Sequence, residues 1–278
     1  MKALNIKGKM LDLSTPKVMG ILNITDDSFF DGGKYISKNK ILERCDKMLM
    51  EGASIIDIGA QSSRPGSKSI NSNLEKERLL TAITNVKHHF PDIIISVDTY
   101  NSSIAKSCIK NGADIINDIS AGEKDKEMWA IVAESGVTYI MMHMKGNPEN
   151  MQENPQYDNI TNDIMVFFEK KIKNLKAKGN EQIIIDPGFG FGKTMEHNYE
   201  ILNNLERFQE FGLPLLVGVS RKSMIYNLLD TTAQKALNGT TAINMIALLN
   251  GANILRVHDV KQAIECIKIV NFAKSYKK

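Results

Sequence analysis

One recurring pattern limits what this chain can fold into. A helical stretch ends in Gly-Ala and a β-branched run follows: Gly52-Ala53 before Ile55-Ile56-Asp57-Ile58-Gly59, Gly112-Ala113 before Ile115-Ile116-Asn117-Asp118, and Gly251-Ala252 before Ile254-Leu255-Arg256-Val257-His258. Glycine suits the residue just past a helix end, where φ is positive. Runs that are apolar on both faces suit strands covered on both sides, as in a parallel sheet. Reading outward from these copies gives eight strands, at 18–23, 55–59, 93–98, 115–118, 139–143, 183–186, 215–219 and 254–258. The stretches between them carry apolar residues at helical intervals, such as Ile41, Cys45, Met48 and Leu49; Leu80, Ile83, Val86 and Phe90; and Ile201, Leu202, Leu205 and Phe208. Strand alternating with helix requires parallel pairing and right-handed crossovers. Eight such units in 278 residues predict an α/β fold, a (β/α)₈ TIM barrel with residues 1–278 as a single domain. An open doubly wound sheet is the alternative, because periodicity does not show closure.

Nearly every apolar run ends in a residue able to bind or react. These are Asn23, Asp57, Asp98, Asn117 with Asp118, His143, Asp186, Ser220 with Arg221 and Lys222, and Arg256 with His258. In a barrel these ends meet at one mouth, where active sites form. A lone Asp at such a place is most often a cap for the next helix. A whole ring of them is costly to bury unpaired and needs a ligand, water or mutual pairing, and eight such ends together favour a site. Charge also separates along the chain. Asp98, Asn117 and Asp186 supply acceptors and an amide, whereas the last two strands bring Arg221, Lys222, Arg256 and His258. A phosphate site recurs at that position in barrels. Ser223 falls where the next helix begins, another place that favours anions. A substrate with a hydrogen-bonding ring at one end and phosphate at the other fits this division. Simple pairing of the cations with nearby carboxylates is the alternative.

Other signals exclude more than they suggest. Gly188-Phe189-Gly190-Phe191-Gly192-Lys193-Thr194 ends like a P-loop, but Pro187 stands where the first glycine is required. A tight turn approaching a flat ligand is the better reading. His143 alone reads as a satisfied core histidine, and His88, His89 and His197 as surface or cap residues. Cys45, Cys108 and Cys266 are too widely spaced for a metal or redox motif, and no zinc spacing is present. The 35 basic and 32 acidic residues give +3, too weak a field for nucleic acid or an anionic membrane. Met1 to Pro16 lacks the apolar run of a signal peptide, and no segment is long and apolar enough to span a bilayer. These features predict a cytoplasmic protein with small-molecule partners.

The motifs, taken together and in order, resemble the dihydropteroate synthase family over most of the chain. Gly20-Ile21-Leu22-Asn23-Ile24-Thr25-Asp26-Asp27-Ser28-Phe29-Phe30-Asp31-Gly32-Gly33 is similar to the family's first signature loop. Ile56-Asp57-Ile58-Gly59-Ala60-Gln61-Ser62-Ser63-Arg64-Pro65-Gly66 is similar to the second. Ser96-Val97-Asp98-Thr99, Ile116-Asn117-Asp118, Met142-His143-Met144, Asp186-Pro187-Gly188 with Gly190-Phe191-Gly192-Lys193-Thr194, Ser220-Arg221-Lys222-Ser223 and Arg256-Val257-His258-Asp259 complete the set. The resemblance implies a TIM barrel, usually a homodimer, that uses Mg²⁺. It implies condensation of 4-aminobenzoate with 6-hydroxymethyl-7,8-dihydropterin diphosphate to 7,8-dihydropteroate and diphosphate. On that resemblance Asp98, Asn117, Asp186 and Lys222 hold the pterin edge, and Ile119, Met142, Phe191 and Gly218 line its faces. Asn23, Ser63, Arg256 and His258 hold the diphosphate, with Asn23 also at the metal. Phe29, Arg64, Pro65, Arg221 and Ser223 belong to the 4-aminobenzoate site. Asp98, Lys222, Arg256 and His258 are the expected catalytic groups.

The chain departs from the family pattern in its loops. Asp26 stands where the family usually has Pro, Phe30 where it has Ser, Gln61 where it often has Glu, and Ser63 where it has Thr. Two rival readings share most of these residues. A folate-binding methyltransferase domain would need the pterin pocket without a diphosphate site, which the signature loops and Ser220–Ser223 disfavour. A non-catalytic pterin-binding scaffold would not need Lys222, Arg256 and His258.

Overall fold

The computed structural model describes residues 3–24, 30–31, 35–36, 38–61, 70–147 and 151–276. The chain opens with β1 (Ala3–Ile6) and β2 (Lys9–Asp12), an antiparallel hairpin. Next come β3 (Lys17–Asn23), the small antiparallel pair β4 (Phe30–Asp31) and β5 (Tyr35–Ile36), and then β6 (Ile55–Gly59). From there strands and helices alternate through β7 (Ile94–Asp98), β8 (Ile115–Asp118), β9 (Thr138–Met142), β10 (Ile183–Asp186), β11 (Leu216–Val217) and β12 (Ile254–Val257). The eight-stranded sheet runs β10-β9-β8-β7-β6-β3-β12-β11, every pair parallel. A parallel bridge between Ile185 and Leu215, with Ile185 N–H donating to Pro214 O at 3.0 Å, joins its two ends. The sheet is therefore a closed barrel, which decides against the open alternative.

Strand alternation divides the interior into layers. Met19, Ile55, Ile94, Ile115, Ile140, Ile184, Leu216 and Ile254, one from each barrel strand, form a buried cluster with Leu4, Ile6, Leu11 and Leu13. The hairpin thus plugs the barrel floor. The alternate residues, such as Val18, Ile56, Val97, Ile116, Tyr139 and Leu255, pack outward against the helices. There they meet Ile41 and Met48 of Lys38–Met50, Leu79 and Ile83 of Ser72–His89, and Phe168 of Ile160–Ala177. Each fully buried aliphatic side chain contributes about 1.5–3 kcal/mol. Side-chain caps fix several helix starts: Asn101 Oδ1 accepts from Ile104 N–H at 3.1 Å, and Thr194 and His197 form a reciprocal capping box.

Three differences from the sequence reading have physical causes. The seventh strand is only Leu216–Val217, not 215–219. Pro214 before it lacks an N–H, and Val219 already opens a turn whose carbonyl accepts from Lys222 N–H at 3.2 Å. In the Ser72–His89 helix the buried stripe is Leu79, Ala82, Ile83 and Val86, whereas Leu80 and Phe90 are only partly buried. The stretch holding Leu205 and Phe208 leaves the helix Met195–Asn203 and tightens into a 3₁₀ turn, Leu205–Phe211, with both residues still buried.

Candidate active site

The same alternation builds the site. Two residues beyond each floor residue, the inward positions are Ile21, Asp57, Ser96, Asn117, Met142, Asp186, Gly218 and Arg256. One further step gives Asn23, Gly59, Asp98, Ile119, Met144, Gly188, Ser220 and His258. The barrel interior therefore turns from apolar to polar toward the C-terminal ends of the strands. Asn23, Asp98, Asn117, Ile119, Met142, Asp186, Gly218, Arg256 and His258 all project into this one cavity. Asp118 falls on the outward parity: it accepts from Tyr139 Oη at 2.7 Å and Gly122 N–H at 2.8 Å, behind the sheet. His143 is likewise outward, buried edge-on to Phe167 with ring centroids 4.9 Å apart.

Arg256 spans the centre. Its Nε donates to Asp57 Oδ2 at 2.7 Å and its Nη2 to Asp98 Oδ2 at 3.0 Å, while Asn117 Nδ2 donates to the same Asp57 oxygen at 3.2 Å. Asp57 is wholly buried, and it was read from sequence only as a strand end. Its parity with Ile55 is the signal that places it under Arg256. Burial pushes the Asp98 carboxyl up to about 7, against the pull of Arg256. Across the cavity burial also raises Asp186, opposed by Lys222, and lowers the Lys222 ammonium to about 8, opposed by Asp186. The cavity thus holds two mixed groups, Arg256 with Asp57 and Asp98 and, across from it, Lys222 with Asp186, whose charges are poorly solvated. The pairing of cations with nearby carboxylates, the alternative to an anion site, is therefore present at Arg256 and, with Asp259, at Arg221.

Residues 188–192 form the wall beside Lys222. Gly188 and Gly192 have φ of +72° and +64°, and a Cβ on either would lie 1.9 Å from His143 O or 2.1 Å from Lys145 O. Only glycine lets these backbones approach so closely. The tight turn predicted for this stretch is present. It presents Phe191, which packs with Ile119, Met142 and Met151 in an apolar cluster at the mouth. Lys222 Nζ lies 4.7 Å from the Phe191 ring centroid and donates to Phe189 O. Met151 was not found from sequence, because it comes from a polar loop where strand periodicity gives no signal.

At the cationic edge, Ser220 Oγ lies 3.0 Å from His258 Nδ1 and accepts from His258 N–H at 3.2 Å. Arg221 has a left-handed backbone, φ 57°, and grips Asp259 through Nε at 2.8 Å and Nη2 at 2.9 Å. Its Nη1 donates to Ala233 O and Gln234 O, so the guanidinium is anchored to Asp259 and to the backbone at 233–234. Ser223 starts a helix, but Ser223–Tyr226 is one turn, so the dipole available to an anion there is small. Phe29, Ser63, Arg64 and Pro65 lie outside the described residues. No cluster of three His, Cys, Asp or Glu side chains forms a metal cage among the described residues. Gly59 leaves an opening between Asn23 and Asp98: a Cβ there would lie 3.5 Å from Asn23 Oδ1 and 3.7 Å from Asp98 Oδ2. An amide oxygen facing such an opening suits Mg²⁺, which usually takes one or two protein oxygens and fills its shell with water and substrate phosphate.

Comparison with known proteins adds to this geometry. Residues 19–258 match the family profile described as pterin binding enzyme. The chain is 42% identical to the dihydropteroate synthase of Escherichia coli K12 over 98% of this chain and 96% of that one. Among solved structures it is similar to Yersinia pestis dihydropteroate synthase in a sulfonamide drug complex, with 41% identity, TM-score 0.92 and coverage of 98% and 99%. It is also similar to Xanthomonas albilineans dihydropteroate synthase with 4-aminobenzoic acid, with 31% identity, TM-score 0.91 and coverage of 99% and 98%.

Proposed function

The chain belongs to the dihydropteroate synthase family of pterin-binding enzymes, and on that premise we propose how its own residues divide the family reaction. The enzyme is a transferase of folate biosynthesis. It joins 4-aminobenzoate to 6-hydroxymethyl-7,8-dihydropterin diphosphate, giving 7,8-dihydropteroate and diphosphate. The observation that supports the assignment of roles is the convergence of Asn23, Asp98, Asn117, Asp186, Arg256 and His258 on inward strand positions around one cavity, with Lys222 set against Asp186 and Arg256 against Asp57 and Asp98.

In this reading Asp186, Asn117 and Lys222 take the hydrogen-bonding edge of the pterin, and Met142, Ile119 and Phe191 its faces. Arg256, His258 and Asn23 take the diphosphate, together with Ser63. The bond between the exocyclic methylene and the diphosphate oxygen breaks first, leaving positive charge on the pterin. Asp98 stabilises that charge, and Arg256 stabilises the charge growing on the departing oxygen. The neutral arylamine then forms the new C–N bond and loses its proton to solvent, so no strong base is required. Phe29, Arg64, Pro65, Arg221 and Ser223 receive the 4-aminobenzoate. Mg²⁺ at Asn23 would add charge neutralisation on the diphosphate. We place the reaction in the cytoplasm, with residues 1–278 as one domain. We also propose a homodimer: Ile246 and Leu249 on one helix, and Ile269 and Phe272 on the next, are exposed and apolar.

The test is a product assay. Purified protein with Mg²⁺, 4-aminobenzoate and the pterin diphosphate should form dihydropteroate and diphosphate one to one. Chelating the metal should stop turnover while leaving binding of 6-hydroxymethylpterin intact. Pterin binding without any product would favour the scaffold reading instead.

A further inference from the structure

The turn at 188–192 is held more completely than a loop normally is. All five of its carbonyls accept a hydrogen bond: Gly188 O from Phe191 N–H, Phe189 O from Lys222, Gly190 O from Gln152 Nε2, Phe191 O from Lys193 Nζ, and Gly192 O from Tyr157 Oη. Lys193 is the centre of this arrangement. It is 2% exposed, and its three donors meet three acceptors: Phe191 O at 3.0 Å, His143 O at 3.3 Å and His143 Nδ1 at 3.0 Å. Tyr157 closes the other side, its ring 6.2 Å from His143 and 5.0 Å from His197 between centroids.

We propose that Lys193, supported by Tyr157, is a positioning residue for the pterin slot. It ties the glycine turn to the segment after β9, which fixes the Phe191 ring and the Phe189 carbonyl that orients Lys222. The inference rests on the pterin assignment made above. It also explains why the stretch ends in Gly-Lys-Thr without serving as a phosphate loop: the lysine points into the protein beneath the turn. Burial pushes the Lys193 ammonium well below its usual value, so the tie rests on geometry: one buried nitrogen meets Phe191 O, His143 O and His143 Nδ1 at 3.0–3.3 Å, and those contacts form together only when the turn and the segment after β9 hold one position.

The test measures binding of 6-hydroxymethylpterin and of inorganic diphosphate separately, by calorimetry, to wild type, Lys193→Met and Tyr157→Phe. Lys193→Met should weaken pterin binding about tenfold or more, as expected for loss of several buried hydrogen bonds that hold the slot, and leave diphosphate affinity within about twofold. Tyr157→Phe keeps the ring and should weaken pterin binding by a smaller factor in the same direction. If Lys193→Met does not fold, Tyr157→Phe decides alone. Folded variants with wild-type pterin affinity, or with equal loss of both ligands, overturn the proposal. Failure of wild type itself to bind pterin would remove the pterin assignment instead.

Discussion

At the residue scale, the cavity pairs opposite charges where water solvates them poorly: Arg256 bridges Asp57 and Asp98. Asp57 is the quiet member. It accepts from both Arg256 and Asn117, so one buried carboxylate orients both side chains together. The charge states set a pH window. Asp98 sits near 7 and must be deprotonated to face a developing cation, so activity is lost as pH falls through that value. Lys222 sits near 8 and must be protonated to donate, so activity is lost as pH rises through that one. The expected kcat/KM for the pterin diphosphate is a narrow bell with limbs near 7 and 8, measured by initial rates across pH 5.5–9.5. A flat profile over that range would contradict the two assignments. Most of these residues were legible in the sequence because alternation of strand side chains is strict: once Ile55, Ile94 and Ile254 are inward, so are Asp57, Asp98 and Arg256. The direction of Lys193, singled out only as the end of a glycine-rich stretch, and any part for Met151 were not legible, because neither lies on a strand and their direction is set by a turn and a loop.

At the element scale, the strand-and-helix order was readable from the Gly-Ala copies and β-branched runs, and the closure was not. Closure depends on the Ile185–Leu215 bridge, which joins the sheet's two ends and leaves no mark in local periodicity. The β1–β2 hairpin was missed for a different reason. Its alternation at Leu4, Ile6, Leu11 and Leu13 spans two short strands, and the turn at Lys7-Gly8, both with positive φ, gives little compositional signal. Its job is to close the floor, so its energetics separate from catalysis. Leu4→Ala should destabilise the protein by about 2–5 kcal/mol, read by denaturant titration, with KM for both substrates unchanged. A changed KM with unchanged stability would mean that the hairpin acts on the mouth, not the floor.

At the scale of the whole molecule, one end of the barrel is an apolar plug, the other a charged cavity, and the outer wall a ring of helices. No described helix is long and apolar enough to cross a membrane. The exposed apolar side chains of the Leu237–Leu249 and Val260–Ser275 helices stand out on that wall, with the Phe272 and Tyr276 rings 5.2 Å apart. If these helices pair two copies, sedimentation should give a dimer of the 31.0 kDa chain, and Phe272→Glu should yield active monomers or fewer dimers. A monomeric wild type would remove the proposed assembly without touching the site.

The assignment of Asp186 to the pterin and Arg256 to the diphosphate is the claim on which the rest depends, and crossed binding measurements test it most directly. Affinities of 6-hydroxymethylpterin and inorganic diphosphate are compared for wild type, Asp186→Ala and Arg256→Ala. Asp186→Ala should abolish measurable pterin binding, since charged hydrogen bonds contribute roughly 1.5–3 kcal/mol each, and should spare diphosphate. Arg256→Ala should weaken diphosphate binding more than pterin binding. Equal losses of both ligands in both variants would contradict the account.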